Sequence, residues 1–402
     1  MLFAGIDIGS ERHMVAIVDQ SGAVLLRATA VTEDATGYKR LLELLGSASD
    51  CLVAMEATGH YWRNLFAALV TAGFKIALIN PLRSSRFAEE ELQRTKTDAI
   101  DALGLARFAA QKRPSITQLP ESALLELREL VRLKDQLIQQ FGDRVRQLHR
   151  AVGLGFPEFT RHVRTLDSQL AISLLARYPT AAALRTVSAR RLARLCYDGS
   201  HNVGEELARA LLAAAKQSVA AHHGEPYQLQ MRYACEDLSV LRRRLRSLDS
   251  DIERRLQQHE IGKLLTTIEG IGPQTAARII AEVGDPARFH SGGALASYVG
   301  VIPRVHQSGK RKFSSAAKVP LGNARLRRAL WMPALTAIKH NPWLRAYYQR
   351  LRSAGKQPKV ALVAIIRKLM TAVYSVAKHR RPFVLPPIYT PAAGGAVVAL
   401  AH

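Results

Sequence analysis

The chain has 402 residues, 48% of them hydrophobic, enough for two or three packed domains and incompatible with a disordered chain. Its formal net charge is +24, from 57 Lys/Arg against 33 Asp/Glu, and a surplus of that size calls for a polyanionic partner, nucleic acid before others. Cys51, Cys196 and Cys235 have neither disulfide nor zinc-ligand spacing, which argues against structural zinc and suits a reducing cytoplasm.

Asp7 interrupts the apolar start, so no signal peptide is expected. The longest apolar stretch, 360–377, is broken by Arg367 and Lys368 and reads as too short to span a bilayer. The expectation is a soluble, cytoplasmic, nucleoid-associated protein with no membrane partner.

The charge is unevenly placed. Residues 1–112 carry 12 Lys/Arg against 13 Asp/Glu, 113–260 carry 23 against 17, and 261–402 carry 22 against 3. No acid follows Asp285. Catalytic magnesium wants oxygen ligands, so metal-assisted phosphate chemistry here must draw its acids from the N-terminal third.

That third reads as an α/β domain over 1–115. Strand-like runs at 3–8, 13–18 and 24–28 are joined by the turn sequences Gly9-Ser10-Glu11-Arg12 and Asp19-Gln20-Ser21-Gly22. A helix at 37–45, a strand at 51–55, a helix at 61–72, a strand at 75–79 and a helix starting near Thr97 complete it. Three meandering strands and then alternating helix and strand predict a mixed sheet.

Two acids sit at strand ends: Asp7 in Gly5-Ile6-Asp7-Ile8-Gly9-Ser10, and Glu56 after Leu52-Val53-Ala54-Met55. Buried carboxylates need partners, so neither suits plain core. Asp98 and Asp101 are spaced to share a helix face. Capping explains them as well, with Thr97 as N-cap and acids in the first turn favoured by the helix dipole. Acids gathered in one place repel unless a divalent cation neutralises them, and two magnesium ions about 4 Å apart can drive phosphoryl transfer. Asp7-Ile8-Gly9-Ser10 also matches the opening of sugar-kinase and actin-like ATPases, but the further glycine-rich phosphate loop those folds need has no convincing copy here.

The middle, 116–262, reads as two long helices. Leu127, Leu130, Leu137, Phe141, Leu148 and Val152 keep a three–four rhythm, as do Ala234, Leu238, Leu241, Leu245, Leu248 and Ile252. Both suit coiled-coil packing, with each other or with a second subunit. Between them, 155–225 predicts a small helical insert with helices at 170–176, 189–195 and 205–221.

The region 263–381 is expected to be mainly helical, and 382–402, rich in Pro, Ala and Gly, to be disordered. Gly270-Ile271-Gly272-Pro273-Gln274-Thr275 reads as a helix–hairpin–helix, in which Gly270, Gly272 and Thr275 would meet a DNA phosphate. Ser308, before Gly309 and the cations Lys310, Arg311 and Lys312, could be a nucleophile if activated, or a plain loop serine. Asn323, Arg325, Arg327 and Arg328 open a basic helix, and Trp343, Tyr347 and Tyr348 lie among cations. Such mixing suits nucleic-acid contacts, and helix core explains the aromatics equally well.

Together, Asp7 in Gly-x-Asp-x-Gly, Glu56 in Glu-Ala-Thr-Gly, Asp98 and Asp101 in Lys-Thr-Asp-Ala-x-Asp-Ala, the Gly-Ile-Gly-Pro turn, and Gln-Ser-Gly followed by Gly-Asn-x-x-Leu-Arg-Arg resemble the DEDD-type insertion-sequence transposases. The resemblance spans nearly the whole chain, with the helical insert as a departure. It implies an RNase H/RuvC-like domain whose Asp7, Glu56, Asp98 and Asp101 hold Mg2+, and a C-terminal transposase domain whose serine maps best to Ser308. That serine would attack the DNA phosphodiester and form a covalent phosphoserine link, in a composite site assembled by a homodimer or homotetramer. Donor and target DNA would be chosen by a structured bridge RNA. Two other readings stay open: a RuvC-like hydrolytic nuclease acting on DNA junctions with water in place of the serine, and a non-catalytic nucleic-acid-binding protein whose acids are only caps and turns.

Overall fold

The computed structural model describes every residue except 58, 93, 94, 96, 119, 120, 303, 309, 310, 316–321 and 386–402, and for 304–308 and 311–315 it describes the backbone alone. The chain divides into two compact units, Met1–Leu119 and Pro120–His402.

In the first unit β1 (Leu2–Ile8), β2 (Arg12–Val18) and β3 (Val24–Thr32) precede α1 (Ala35–Leu45), β4 (Cys51–Glu56), α2 (Trp62–Thr71), β5 (Lys75–Ile79), α3 (Pro81–Glu90) and α4 (Asp98–Lys112). The sheet order is β3-β2-β1-β4-β5. Short turns make β1–β2 and β2–β3 antiparallel, whereas helical crossovers make β1–β4 and β4–β5 parallel. Gly9 N–H closes the first turn on the Arg12 carbonyl, and the Asp19 carboxylate accepts from Ser21 and Ala23 N–H in the second. This is the mixed α/β sheet that the strand pattern predicts. Helix α3 is an addition to that pattern: Asn80 caps it and Pro81 opens it, a start signal available in the sequence.

Alternate residues of the central strands enter two cores. Ala4, Ile6, Val53 and Met55 pack with Leu41, Leu65 and Phe66 of α1 and α2. Phe3, Leu52 and Ala54 pack with Phe87 of α3 and with Leu105, Phe108 and Ala109 of α4. Gly5 shares the α4 face with Phe3 and Asp7 by the two-residue strand period. A Cβ there would fall 2.1 Å from the Ala102 carbonyl oxygen and 2.3 Å from the Ala106 nitrogen. The missing side chain therefore lets the backbone of α4 rest directly on β1.

In the second unit α5 (Ser122–Gly155) and α11 (Glu225–Leu256) flank the short helices α6 (Phe159–His162), α7 (Gln169–Arg177), α8 (Ala181–Arg185), α9 (Ala189–Ala193) and α10 (Glu205–Lys216). The long helices run antiparallel against each other within one chain, as their ion pairs require: Arg144–Asp237 at 2.8 Å, Lys134–Asp249 at 2.5 Å, and Arg255–Glu126. One end of the pair (Leu148, Val152, Met231, Leu238) shares a core with α6–α10, so the helical insert has its own packed interior.

The other end (Leu127, Val131, Leu248, Ile252) packs with the C-terminal part of the chain. Its elements are α12 (Glu260–Leu265), α13 (Pro273–Val283), α14 (Gly292–Val299), β6 (Arg304–Ser308), β7 (Arg311–Ser315), α15 (Ala324–Ala329), α16 (Trp331–His340), α17 (Pro342–Ser353) and α18 (Pro358–His379).

Two sequence expectations are corrected here. Helix α18 has 22 residues and a window of mean hydropathy 1.7, so it is long and apolar enough to cross a membrane, contrary to the reading from 360–377. Burial distinguishes it instead: Leu362, Ile365, Ile366, Leu369, Met370 and Val373 all lie in the core of the second unit. The tail is packed at its start, where Phe383 N–H donates to Thr267 Oγ1 (2.8 Å) and its ring meets Trp343; the rest of the disorder expectation, 386–402, lies outside the described residues.

Candidate active site

The sheet brings the strand-end acids together. Asp7 is the penultimate residue of β1, and Glu56 the last of the parallel neighbour β4. Asp98 and Asp101 occupy the first turn of α4, whose N-cap Thr97 accepts from Ile100 N–H at 3.3 Å. Capping and site-building are thus compatible roles for this pair. Because Gly5 admits α4 onto β1, that first turn lies beside Asp7. Asp7, Glu56, Asp98 and Asp101 all line one cleft of about 680 Å³ in the first unit.

Electrostatics report the same grouping. The Asp7 carboxyl is pushed up from 3.8 to about 6, first by burial and then by the charges of Asp101, Asp98 and Glu56. Like charges held near a half-buried carboxylate disfavour its ionisation. The donor set is all carboxylate oxygen, which fits a hard divalent cation and no soft metal. Among the described residues no three carboxylate, imidazole or thiolate groups are close enough to form a finished metal cage. The four acids line the cleft as separate carboxylates.

Sequence reasoning missed the cleft wall built by α3. The Ser84 hydroxyl donates to Glu56 Oε2 at 2.6 Å, and Ser85, Phe87 and Glu89 line the cleft beside Thr95. The Asn80-Pro81 start signal could have placed the helix, but a serine–glutamate contact 28 residues apart has no local signature.

Ser308 is the last residue of β6, paired with Arg311 at the start of β7, and Lys312 follows opposite Gln307. A strand end therefore replaces the plain loop as its setting; Gly309 and Lys310 lie outside the described residues. The Gly270–Gly272 turn joins α12 to α13. Gly270 has φ +99, and a Cβ on it would come within 3 Å of Pro333 and Ala337 on α16. Gly272 is the N-cap of α13 with open space around it, and Thr275 lies in that helix's first turn.

Asn323 caps α15 through Leu326 N–H and donates to Glu282 Oε2 at 2.7 Å, while Arg327 donates to the Val299 carbonyl. Arg325 and Arg328 are exposed. Trp343, Tyr347 and Tyr348 pack on the core, and the Lys368 ammonium sits 5.9 and 5.4 Å from the Trp343 and Tyr347 ring centres. These aromatics are half-buried, with one side of each against the core.

Two family models match the chain: a DEDD transposase model over residues 4–157 and the transposase IS116/IS110/IS902 family model over residues 262–349. The mini-circle transposase ascribed to IS117 of Streptomyces coelicolor is 30% identical, over 95% of each chain. An uncharacterized 44.8 kDa protein of insertion element IS116 from Streptomyces clavuligerus is 26% identical, over 96% of this chain and 97% of its own. A pilin gene-inverting protein from Moraxella bovis is 27% identical, over 82% and 80%. The two models bracket the chain in the order of its two ends, the relatives run nearly its full length, and the chain belongs to the IS110/IS116/IS902 family of transposases, enzymes that rearrange DNA.

Proposed function

We propose that this transposase cuts and rejoins DNA with a divalent cation held by Asp7, Glu56, Asp98 and Asp101 and with Ser308 as nucleophile. The observation that carries the acid half is the single cleft lined by all four, with Asp7 raised to about 6 by burial and by its neighbours. Bound Mg2+ would supply charge neutralisation at the phosphate and stabilise the attacking and leaving oxygens. The chain's own part is positional. Strand ends fix Asp7 and Glu56, the capped turn fixes Asp98 and Asp101, and Ser84 orients one Glu56 oxygen.

The serine half rests on the family resemblance and on the Gln307-Ser308 strand end beside a run of cations. Ser308 Oγ bonds to the phosphorus as one phosphorus–sugar oxygen bond breaks; the serine proton is lost and the departing sugar oxygen gains one. A sugar hydroxyl of the other strand reverses the step and frees the serine. The number of phosphodiester bonds is conserved, so no nucleotide cofactor is needed. The acids belong to the first unit and the serine to the second, and the active protein is a homodimer or homotetramer. The helix start at Gly272 and Thr275 and the exposed cations Arg325 and Arg328 grip the DNA backbone without reading sequence. Sequence choice is left to a structured guide RNA that pairs with donor and target, a reading that rests on the family resemblance.

The test incubates full-length protein with its neighbouring non-coding RNA and labelled donor and target DNA in Mg2+, and resolves products on a denaturing gel. Wild type gives a protein–DNA adduct that Ser308→Ala loses and Asp98→Asn reduces at least 100-fold, the order of loss for a group acting only in the transition state. Free cleaved ends in both wild type and Ser308→Ala, with no adduct, would replace this reading with hydrolysis by water at the same four acids.

A further inference from the structure

The segment between the two family-matched stretches contains a cleft that the proposed reaction does not use. It lies between α7 and α11 and has a volume of about 300 Å³. One wall is a single face of α11, on which Ser239, Arg242, Arg243 and Arg246 follow three- and four-residue spacing. The start of α7 forms the other wall, with Gln169 and Ser173. Several other cations on the long helices are matched with acids, as Arg144 with Asp237, Lys134 with Asp249 and Arg254 with Asp251. No carboxylate lines this cleft, and among the described residues none pairs with its three arginines.

Arg242 is held in place: it donates to the Asp167 carbonyl and lies 5.9 Å from the Phe141 ring centre. Arg243 and Arg246 are exposed at the mouth. Guanidinium forks match phosphate oxygens in pairs. The serine hydroxyls and the Gln169 amide add neutral hydrogen-bonding groups, and Gln169 as first residue of α7 brings that helix's positive end to the rim. Keeping three like charges together in water is unfavourable without a counter-charge, and among the described residues no carboxylate pairs with them.

We infer that this cleft is a binding site for the phosphodiester backbone of a polynucleotide. The cations spread over one helical turn, about 6 Å of rise, which suits successive phosphates better than one free ion. No aromatic residue lines the cleft, so bases are not stacked there and the contact reads backbone, not sequence. None of the four acids nor Ser308 belongs to it, so it stands independently of the proposed chemistry.

The experiment measures binding by full-length protein, not cleavage. Labelled single-stranded RNA, single-stranded DNA and duplex DNA are titrated over a salt series against wild type, R243E/R246E, R243K/R246K and R190E/R191E. Arg190 and Arg191 are exposed on α9, outside the cleft, so their reversal makes the same charge change elsewhere. For at least one polynucleotide, R243E/R246E binds about tenfold or more weakly than R190E/R191E. Its slope of log affinity against log salt also falls by about 1–2, the loss of one or two phosphate contacts. The lysine pair, which keeps the charge and loses the paired guanidinium bonds, binds between wild type and R243E/R246E, and the probe whose slope falls identifies the partner as RNA or DNA. Equal losses from the two reversed pairs would overturn the inference, because the cleft arginines would then add only to the general field. Protection of Arg243 and Arg246 from phenylglyoxal by inorganic phosphate, but by no polynucleotide, would overturn it too.

Discussion

Gly5→Ala tests the contact on which the acid cleft depends. The new Cβ would sit 2.1 Å from the Ala102 carbonyl oxygen and 2.3 Å from the Ala106 nitrogen, whereas ordinary contact begins at 3.4 Å. Both atoms are helix backbone, so α4 must retreat by at least about 1.3 Å, the difference between 2.1 and 3.4 Å. Overpacking of this kind costs about 1–3 kcal/mol, and a backbone clash with no flexible neighbour belongs at the upper end. With a urea dependence of about 1–3 kcal/mol per molar, the unfolding midpoint of the first unit falls by about 1–2 M. Function suffers more than stability, because α4 carries Asp98 and Asp101; a misplacement of about 1 Å costs on the order of 100-fold in rate. The assays are urea unfolding followed by hydrogen exchange of β1 and β4 peptides, and strand transfer measured well below the midpoint. Gly153→Ala is the control: that glycine lies inside α5 with nothing within 4 Å, and alanine there should be neutral or slightly stabilising. A Gly5→Ala protein with unchanged midpoint and full strand transfer would refute the claim that α4 rests on β1.

Asp7→Asn in cation-free buffer is expected to stabilise the first unit while abolishing activity. The raised carboxyl penalises the folded state above about 6 and not below the ordinary value of 3.8, so the gain appears at neutral pH and vanishes by pH 4. The full shift corresponds to about 3 kcal/mol, which solvent screening of a half-exposed group reduces to about 1 kcal/mol; a mutant no more stable than wild type in EDTA at pH 7.5 would contradict it. Asn323→Ala should cost about 1–2 kcal/mol, through the lost cap and the lost Glu282 bond. It should leave the salt dependence of DNA binding unchanged, since its side chain is spent inside the fold; a lowered slope would assign it to the DNA contact instead. Cys196 is exposed, whereas burial raises the Cys51 thiol to about 11 and the Cys235 thiol to about 12. Brief maleimide treatment at pH 8 should therefore label one cysteine in the folded protein and three in urea, read by intact mass.

Local patterns made much of this protein legible. The period-two runs and turn residues determined β1 to β5, because a strand buried on alternating faces and a tight turn each leave a signature within ten residues. The heptad-like rows of α5 and α11 are equally local, as is the Thr97 cap. Asp7 and Glu56 were visible because a carboxylate at the end of an apolar strand conflicts with burial, whereas Asp98 and Asp101 showed only a shared helix face that capping explains as well. Long-range packing decided the rest. Gly5 reads as one glycine of a motif until α4, about a hundred residues on, is found to need its missing side chain. The pairing of α5 with α11 inside one chain depends on ion pairs such as Arg144–Asp237, which spacing cannot assign to one molecule or two. Length and hydropathy permit α18 to be a membrane span, although Arg367 and Lys368 argued against one in the sequence, and composition allowed Asn323 and Trp343 to be DNA contacts. Burial against residues distant in sequence makes the first a core helix, while Asn323 bonds to Glu282 and Trp343 is half-buried against the core. Propensity and periodicity describe what a segment can do by itself; which partner satisfies a charge or covers an apolar face is set by contacts that exist only once the chain has folded.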